Sequence, residues 1–410
     1  MDPYFQSMFA DRIGGVNHGK SNEIYKFEKI KRAKRQALVD FPDKSLLDFG
    51  IGENDEIADE KVRKVLTREA ELLENRGYAD NGCLEFKEAV ARFMRRRFHV
   101  ELDPATEINH CIGSKTALAM IPAVFINPGD FTLMTVPGYP VAGTHTKYYG
   151  GRVYNLPLED RNDFLPDLHA IPDDIRKQAK LLILNYPNSP TGQVATVEFY
   201  KQVIAFARTH KIVVVQDAAH GMLSYHTPPL SFLQVEGAKE VGIEIHSLSK
   251  GWNMIGWRIG WFCGNERIVR ALADVKDNCD SGQFLAVQKA AVAALDDPAI
   301  PDEACKKYRR RLQKLVDTLR ILGFHCTLPG GTYFLYVKAP SGIEGGPAFK
   351  NAEEVAHYLI REHSICTVPW DDAGAYLRFS ATYLAKDEPA EDDLMNALAE
   401  RLGEITFSFQ

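Results

Sequence analysis

The stretch Ser247-Leu248-Ser249-Lys250-Gly251-Trp252, with Arg258 eight positions beyond the lysine, holds the residue types of a covalent site. Between Glu244 and Gly264 the only formal charges are Glu244, Lys250 and Arg258. A lysine in so apolar a setting loses hydration, which disfavours its ammonium form and lowers its pKa. The neutral amine is the form that attacks a carbonyl. The hydroxyls of Ser247 and Ser249 and the guanidinium of Arg258 suit a phosphate. An aldehyde acceptor beside a phosphate site points to pyridoxal 5'-phosphate, which carries both groups. The same stretch also fits a lysine snorkelling from a strand end into solvent.

Further candidates stand at the ends of other short apolar runs. Ile108 to Ile112 leads to Gly113-Ser114-Lys115, and Phe131 to Val136 leads to Pro137-Gly138-Tyr139-Pro140. Leu181 to Leu184 leads to Asn185-Tyr186-Pro187-Asn188, and Ile212 to Gln216 leads to Asp217. Helical patterns lie between them, over Thr116 to Phe125 and Val197 to Thr209. This alternation predicts an α/β domain on a mostly parallel sheet covered on both faces. Ligands of such sheets bind outside the carboxyl ends of the strands. Ser114, Tyr139, Asn188, Asp217 and Lys250 therefore converge on one edge. The turn at Gly113 would also offer free helix N–H groups to an anion. Each residue has a plainer reading: Ser114 as a helix cap, Asp217 as a turn cap, Tyr139 as packing.

Around this region the chain needs further elements. Residues 1–22 read as an extended arm, and Glu23 to Val39 has helical periodicity. Leu46 to Gly52 reads as a short strand entering a glycine turn. Asp59 to Glu74 and Leu84 to Phe98 read as amphipathic helices. One long helical region is predicted from about Arg267 through Gln283 to Leu295, and a second long helix over Ala304 to Leu322. Strands at Phe324 to Thr327, Gly331 to Val337, Ser364 to Val368 and Tyr376 to Phe379 mix with helices at Ala352 to Glu362 and Glu391 to Leu402. That mixture predicts a smaller α+β unit. The expected organisation is an arm and helix over 1–45, a large domain over 46–295 and a small domain over 296–410.

Composition narrows the class. At roughly 100–200 residues per domain, the 410 residues suit two domains. The formal net charge of −6 gives no reason to expect nucleic acid or an anionic membrane as partner. The basic clusters at Lys29 to Arg35, Arg95 to Arg97 and Arg309 to Arg311 fall in helical patterns and read as solvated faces. The seven cysteines show no CxxC spacing. That argues against a disulfide framework or a metal site and fits a reducing cytoplasm. No apolar run approaches the ~20 residues of a membrane span, and no signal-peptide pattern opens the chain.

Taken in order, Asn185-Tyr186-Pro187-Asn188-Ser189-Pro190-Thr191-Gly192, Ser247-Leu248-Ser249-Lys250 with Arg258, and Leu377-Arg378-Phe379-Ser380 resemble the class I/II aminotransferases of fold type I. The resemblance covers about positions 20 to 405. It implies a pyridoxal-phosphate enzyme with a seven-stranded, mostly parallel sheet in its large domain. It makes Lys250 the amine that binds the cofactor aldehyde and later moves the substrate Cα proton. Asp217 would pair with the ring nitrogen, Asn188 and His220 would reach the ring 3'-oxygen, and Tyr139 would stack on the ring. Ser114, Lys115, Ser247, Ser249 and Arg258 would surround the phosphate. Tyr78 would reach that phosphate from a second subunit, implying a homodimer with shared active sites. Arg378 would clamp the substrate carboxylate under a loop containing Gly52.

Within this family the chain is most similar to the LL-diaminopimelate aminotransferases. The similarity rests on Tyr25-Lys26-Phe27-Glu28, Phe41-Pro42-Asp43 and Gly50-Ile51-Gly52-Glu53. It implies substrate contacts from Tyr25 and, across the dimer, Ser281. It also implies transfer of an amino group from LL-diaminopimelate to 2-oxoglutarate. Three positions depart from common patterns. His220 stands where many relatives have tyrosine, and it resembles the C–S β-lyase branch of the fold. Ala142 replaces an aromatic, and Asp80-Asn81 precedes Gly82 where the plant-type enzymes have Glu-Gln. An aminotransferase for aspartate or alanine, a C–S β-lyase and a binding protein on the same fold are the other readings.

Overall fold

The computed structural model describes residues 3–20, 26–40, 42, 44–280 and 282–409. Seven strands form the central sheet: β2 (Ile108–Cys111), β3 (Phe131–Val136), β4 (Arg152–Pro157), β5 (Ala179–Asn185), β6 (Val213–Asp217), β7 (Gly242–Ser247) and β8 (Gly260–Gly264). Before them comes β1 (Leu47–Asp48), which lies outside this sheet. The spatial order is β2-β8-β7-β6-β5-β3-β4. All neighbours are parallel except the two pairs made by β8.

Both faces of the sheet are dry, and alternation along β5 shows how. Leu182 and Leu184 face a core with Phe86, Val203, Val214 and Trp261. Leu181 and Ile183 face the opposite core with Leu118, Ile121, Val215 and Ile243. Side chains alternate faces along a strand, so a strand apolar at every position must be covered twice. Helices over Leu84–Phe98, Val197–His210 and Leu285–Asp296 cover one face. Helices over Ser114–Phe125 and Glu266–Asp277 cover the other. Full burial of each such leucine or isoleucine contributes about 1.5–3 kcal/mol.

The C-terminal part builds a separate core. Strands β9 (Phe334–Lys338), β12 (Val368–Trp370) and β13 (Tyr376–Ser380) pair antiparallel in the order β12-β13-β9. The minor strands between and after them are β10 (Gly342–Ile343), β11 (Ile365–Cys366) and β14 (Phe407–Ser408). Helices Ala299–Ile321, Ala352–His363 and Glu388–Leu402 supply Leu312, Leu359 and Leu398 to a core around Leu377 and Phe379. Strand β1 pairs parallel with β11, so Leu47 and Phe49 sit in this second core. The helix Lys26–Asp40 joins the same side through Ala37 against Ile360 and Cys366, and through Lys29–Glu353 at 2.7 Å.

Three expectations fail. The helical region expected from about Arg267 to Leu295 is broken: Glu266–Asp277 ends at Asn278, and a separate helix, Leu285–Asp296, follows. Phe324 to Thr327 is not a strand: Phe324 is buried in the second core, but the segment has no ladder partner. Its apolar character serves packing, which a strand pattern cannot be told from over four residues. The described part of 1–22 is not extended. It coils through helical turns at Pro3–Gln6, Asp11–Ile13 and Gly15–Asn17. Gly14 takes φ of 111°, open to glycine, and Gln6 Nε2 donates to the carbonyls of Val16 and His18, both at 2.9 Å.

Candidate active site

The parallel register fixes the edge. Asn185 pairs with Asp217, and Asp217 with Ile245. The turn after β5, the end of β6 and the segment after β7 therefore open at one level. Asn185 shapes the first of these, because Nδ2 donates to the Asp217 carbonyl at 2.9 Å and Oδ1 accepts from Ser189 N at 3.0 Å. The buried Asn188 uses Oδ1 to accept from Thr191 N (3.1 Å) and Thr191 Oγ1 (2.8 Å). Its Nδ2 has no hydrogen-bond partner among the described residues.

Lys250 lies in a short helix, Leu248–Gly251, that Ser247 caps by accepting from Ser249 N at 3.1 Å. Its Nζ donates to the Gly52 carbonyl at 3.1 Å and lies 5.3 Å from the centre of the Tyr333 ring. Burial pulls its pKa down to about 8, with the Arg378 charge adding to the fall. Asp217 is buried too, and loss of hydration raises its carboxyl to about 6 despite a bond from Ala219 N at 3.0 Å. Burial holds Arg378 at about 10, with its guanidinium 4.0 Å from the Phe334 ring centre. Burial, with Lys250 and Arg378 nearby, pushes the His220 imidazole well below its usual value. Its ring is neutral at neutral pH, and its Nδ1 has no hydrogen-bond partner among the described residues.

A second cluster adjoins the first. Arg258 Nη1 donates to Ser249 Oγ at 3.3 Å and to the Ile255 carbonyl at 2.8 Å. Its guanidinium sits so close over Gly113 that a Cβ there would collide with it. Gly113 also has φ of 73° and opens the helix Ser114–Phe125, which has no side-chain cap. Free helix N–H groups, the Ser249 hydroxyl and a guanidinium thus face one cradle, with Ser114 opening the helix beside it, a donor set for a phosphate dianion.

The structure brings together Lys250, Asp217, Asn188, His220, Gly52 and Arg378, and beside them Ser114, Ser247, Ser249 and Arg258. Lys115 is exposed on the first turn of its helix, and Tyr139 is 44% exposed just before the helix Val141–Tyr148. Tyr78 is 89% exposed on the turn before Gly82. Tyr25 and Ser281 lie outside the described residues. Sequence reasoning missed Tyr333 and Asn54. The Tyr333 hydroxyl donates to Gly52 O at 2.9 Å, and its ring meets His220 edge-on at 5.3 Å. Asn54 Nδ2 donates to the Lys250 carbonyl at 2.8 Å. Nothing in their spacing signals either role, since both come from elements packed onto the sheet from elsewhere in the chain.

The sequence matches the family described as aminotransferase class I and II over residues 44–388. The chain is a class I and II aminotransferase. Among curated relatives, it is 54% identical over 419 residues to the LL-diaminopimelate aminotransferase of Methanocaldococcus jannaschii, covering 100% of both chains. It is 53% identical over 416 residues to that of Methanococcus maripaludis, again covering 100% of both. Among solved structures, substrate-bound BacF from Bacillus subtilis superposes with a TM-score of 0.84 at 28% identity, covering 95% of this chain and 97% of that one. The aminotransferase is a pyridoxal-phosphate enzyme of fold type I, and its residues fit that cofactor. The buried, unpartnered Asn188 Nδ2 and His220 Nδ1 await acceptors or donors, and the Gly113–Arg258 cradle suits a phosphate. Among the described residues no group of His, Cys, Asp and Glu could hold a metal ion, and no helix is long and apolar enough to cross a membrane.

Proposed function

We propose that this aminotransferase takes LL-diaminopimelate as amino donor and 2-oxoglutarate as acceptor, giving tetrahydrodipicolinate and glutamate. The observation that carries the reading is a depressed amine, Lys250, near a buried guanidinium, Arg378, in a chain 54% identical from end to end to an enzyme of that name. When bound, pyridoxal phosphate supplies an electron sink for the substrate carbanion.

The protein's own residues do the rest. Lys250, partly neutral near pH 8, is the base that takes the proton from the substrate Cα and returns it elsewhere. Asp217, ionised above about pH 6, would pair with the cofactor's ring nitrogen. Asn188 Nδ2 and neutral His220 would be donors toward its ring oxygen. Tyr139 would pack against the ring. Ser114, Lys115, Ser247, Ser249 and Arg258 would hold the phosphate. Arg378 takes the substrate α-carboxylate in a two-point contact, which fixes the Cα–H bond for transfer. Gly52 offers its carbonyl to Lys250.

The same reading makes the enzyme a homodimer with shared sites. Exposed Ile57, Leu73, Tyr78, Leu84 and Phe284 support a second copy packing near the 78–82 turn, with Tyr78 and Ser281 crossing over and Tyr25 meeting substrate. The seven free cysteines support a reducing cytoplasm. The organisation proposed is an arm and helix over 1–45 packing with the small domain, a large domain over 46–295 and a small one over 296–410, with β1 leaning on the small core.

The test is an assay of purified protein with LL-diaminopimelate plus 2-oxoglutarate, with the meso isomer, with aspartate or alanine, and with cystathionine alone. Glutamate formation fastest from the LL isomer is expected. Pyruvate from cystathionine with no glutamate from any donor would overturn the reading.

A further inference from the structure

The loop that carries Gly52 is held from behind by an unusual set of charges. Arg311, on the helix Ala299–Ile321, is 1% exposed. Its Nη1 donates to Asp55 Oδ2 at 2.9 Å and its Nε to Glu391 Oε1 at 2.7 Å. The same guanidinium donates to the carbonyls of Ala381 (3.2 Å), Tyr383 (2.9 Å) and Ala385 (3.2 Å), and lies 4.7 Å from the Tyr383 ring centre. Asp55 also receives Lys307 Nζ at 2.7 Å and the Tyr308 hydroxyl at 3.1 Å.

The two ends of this network are what matter. Successive loop residues face opposite ways. Gly52 O meets the Lys250 amine, Asn54 meets the Lys250 backbone, and Asp55 meets Arg311. On the other side, Ala381 stands three residues past Arg378, just beyond the end of β13. Loop and strand are also stitched directly, by Ser380 N to Phe49 O at 2.8 Å and Thr382 Oγ1 to Ile51 O at 3.3 Å. One guanidinium thus grips the loop bearing Gly52 and the strand end bearing Arg378. A Cβ on Gly52 would lie 3.9 Å from Arg378 Nη2, so these two parts close on the same small volume. A buried ion pair is a poor source of net stability, because desolvation offsets its attraction. What it supplies is fixed geometry.

We propose that Asp55 and Arg311 are positioning residues that latch the 51–56 loop over Lys250 and set its distance from the Arg378 guanidinium. The proposal rests on the reading that Lys250 and Arg378 serve the reaction. The latch acts mainly on the docking of the amino donor: neither latch residue touches the Lys250 amine, which the loop reaches through the Gly52 carbonyl.

The test uses Asp55→Asn and Tyr308→Phe in the full-length, cofactor-loaded enzyme. Asn keeps the shape of Asp55 and removes its charge; Phe at 308 removes one bond to the same carboxylate. For Asp55→Asn, KM for LL-diaminopimelate should rise about ten-fold or more while kcat stays within about three-fold. Amide exchange at 51–56 should speed up while β5 stays protected. Tyr308→Phe should move both readouts the same way by a smaller factor, which covers the case that Asp55→Asn fails to fold. Unchanged KM with unchanged exchange at 51–56 would overturn the latch. So would faster exchange across the whole chain with kcat and KM unmoved, the mark of a purely structural pair. Borohydride labelling of the unaltered enzyme separates the underlying reading. Label absent from Lys250 sinks that reading, and the exchange of 51–56 in Asp55→Asn still decides whether the loop is latched.

Discussion

Lys250 and Lys276 are two lysines drawn away from solvent, and they differ in what waits at the end of the side chain. Lys276, 1% exposed, lies 2.5 Å from the Asp280 carboxylate and donates to the Asp80 carbonyl at 3.0 Å. Lys250 meets a neutral carbonyl at 3.1 Å, with Arg378 and Arg258 adding positive charge around it. A carboxylate in contact ties an amine in place and makes it an anchor. A carbonyl in a desolvated, positively charged surround lets the proton leave. Burial is common to both, so it is the partner that separates a structural lysine from a reactive one.

The strongest way to break this contrast is Lys250→Ala. It should lower kcat/KM by on the order of 10⁵-fold, about 7 kcal/mol of barrier, with unfolding unchanged by circular dichroism and no label fixed by borohydride. Turnover retained by the variant would remove the distinction. The converse is Lys276→Met. Leaving the half-buried Asp280 without its partner should cost about 1–3 kcal/mol of stability, read from the urea midpoint, while the label at Lys250 keeps its stoichiometry. A midpoint that does not move would show that the Lys276–Asp280 pair anchors nothing. The smallest effect sharpens the contrast through pH. Because the Lys250 pKa falls to about 8, its neutral fraction grows as pH rises toward 8 and then levels. Capture of pyridoxal phosphate by cofactor-free protein, followed in the visible, should quicken about ten-fold per pH unit below that point. A rise continuing to pH 10 would place the amine at its ordinary value.

Much of the site was legible because its residues end strands. Asp217, Asn188 and Lys250 each pair an informative side chain with a position that the α/β rule sends to one edge. Tyr333, Asn54, Asp55 and Arg311 were not legible for the opposite reason. They come from the second core and the loop leaning on it, and only tertiary packing brings them to the sheet. Arg311 stood in a basic helical run, Arg309 to Arg311, that reads as a solvated face, yet it is almost fully buried because two carboxylates and three carbonyls meet it. The α/β sheet itself was readable from alternation, but the direction of β8 was not, since apolar character says nothing of polarity along the chain. The strand expected at Phe324 to Thr327 shows the same limit, where apolar residues serve a core without a ladder.

The reversed strand β8 has a consequence for how such a site can change. The segment from Leu248 to Ile259 is closed at its base, where Leu248 N donates to Ile259 O at 3.1 Å and Ser247 pairs with Gly260. It behaves as a clasp of fixed perimeter, with Lys250 near one end and Arg258 near the other. The Asn188 turn is tied as well, since Gly331 N donates to Gly192 O at 2.8 Å, whereas the Tyr139 turn is exposed. An insertion in the clasp would shift amine and guanidinium against each other, so the scaffold tolerates change more readily at the exposed Tyr139 turn than here.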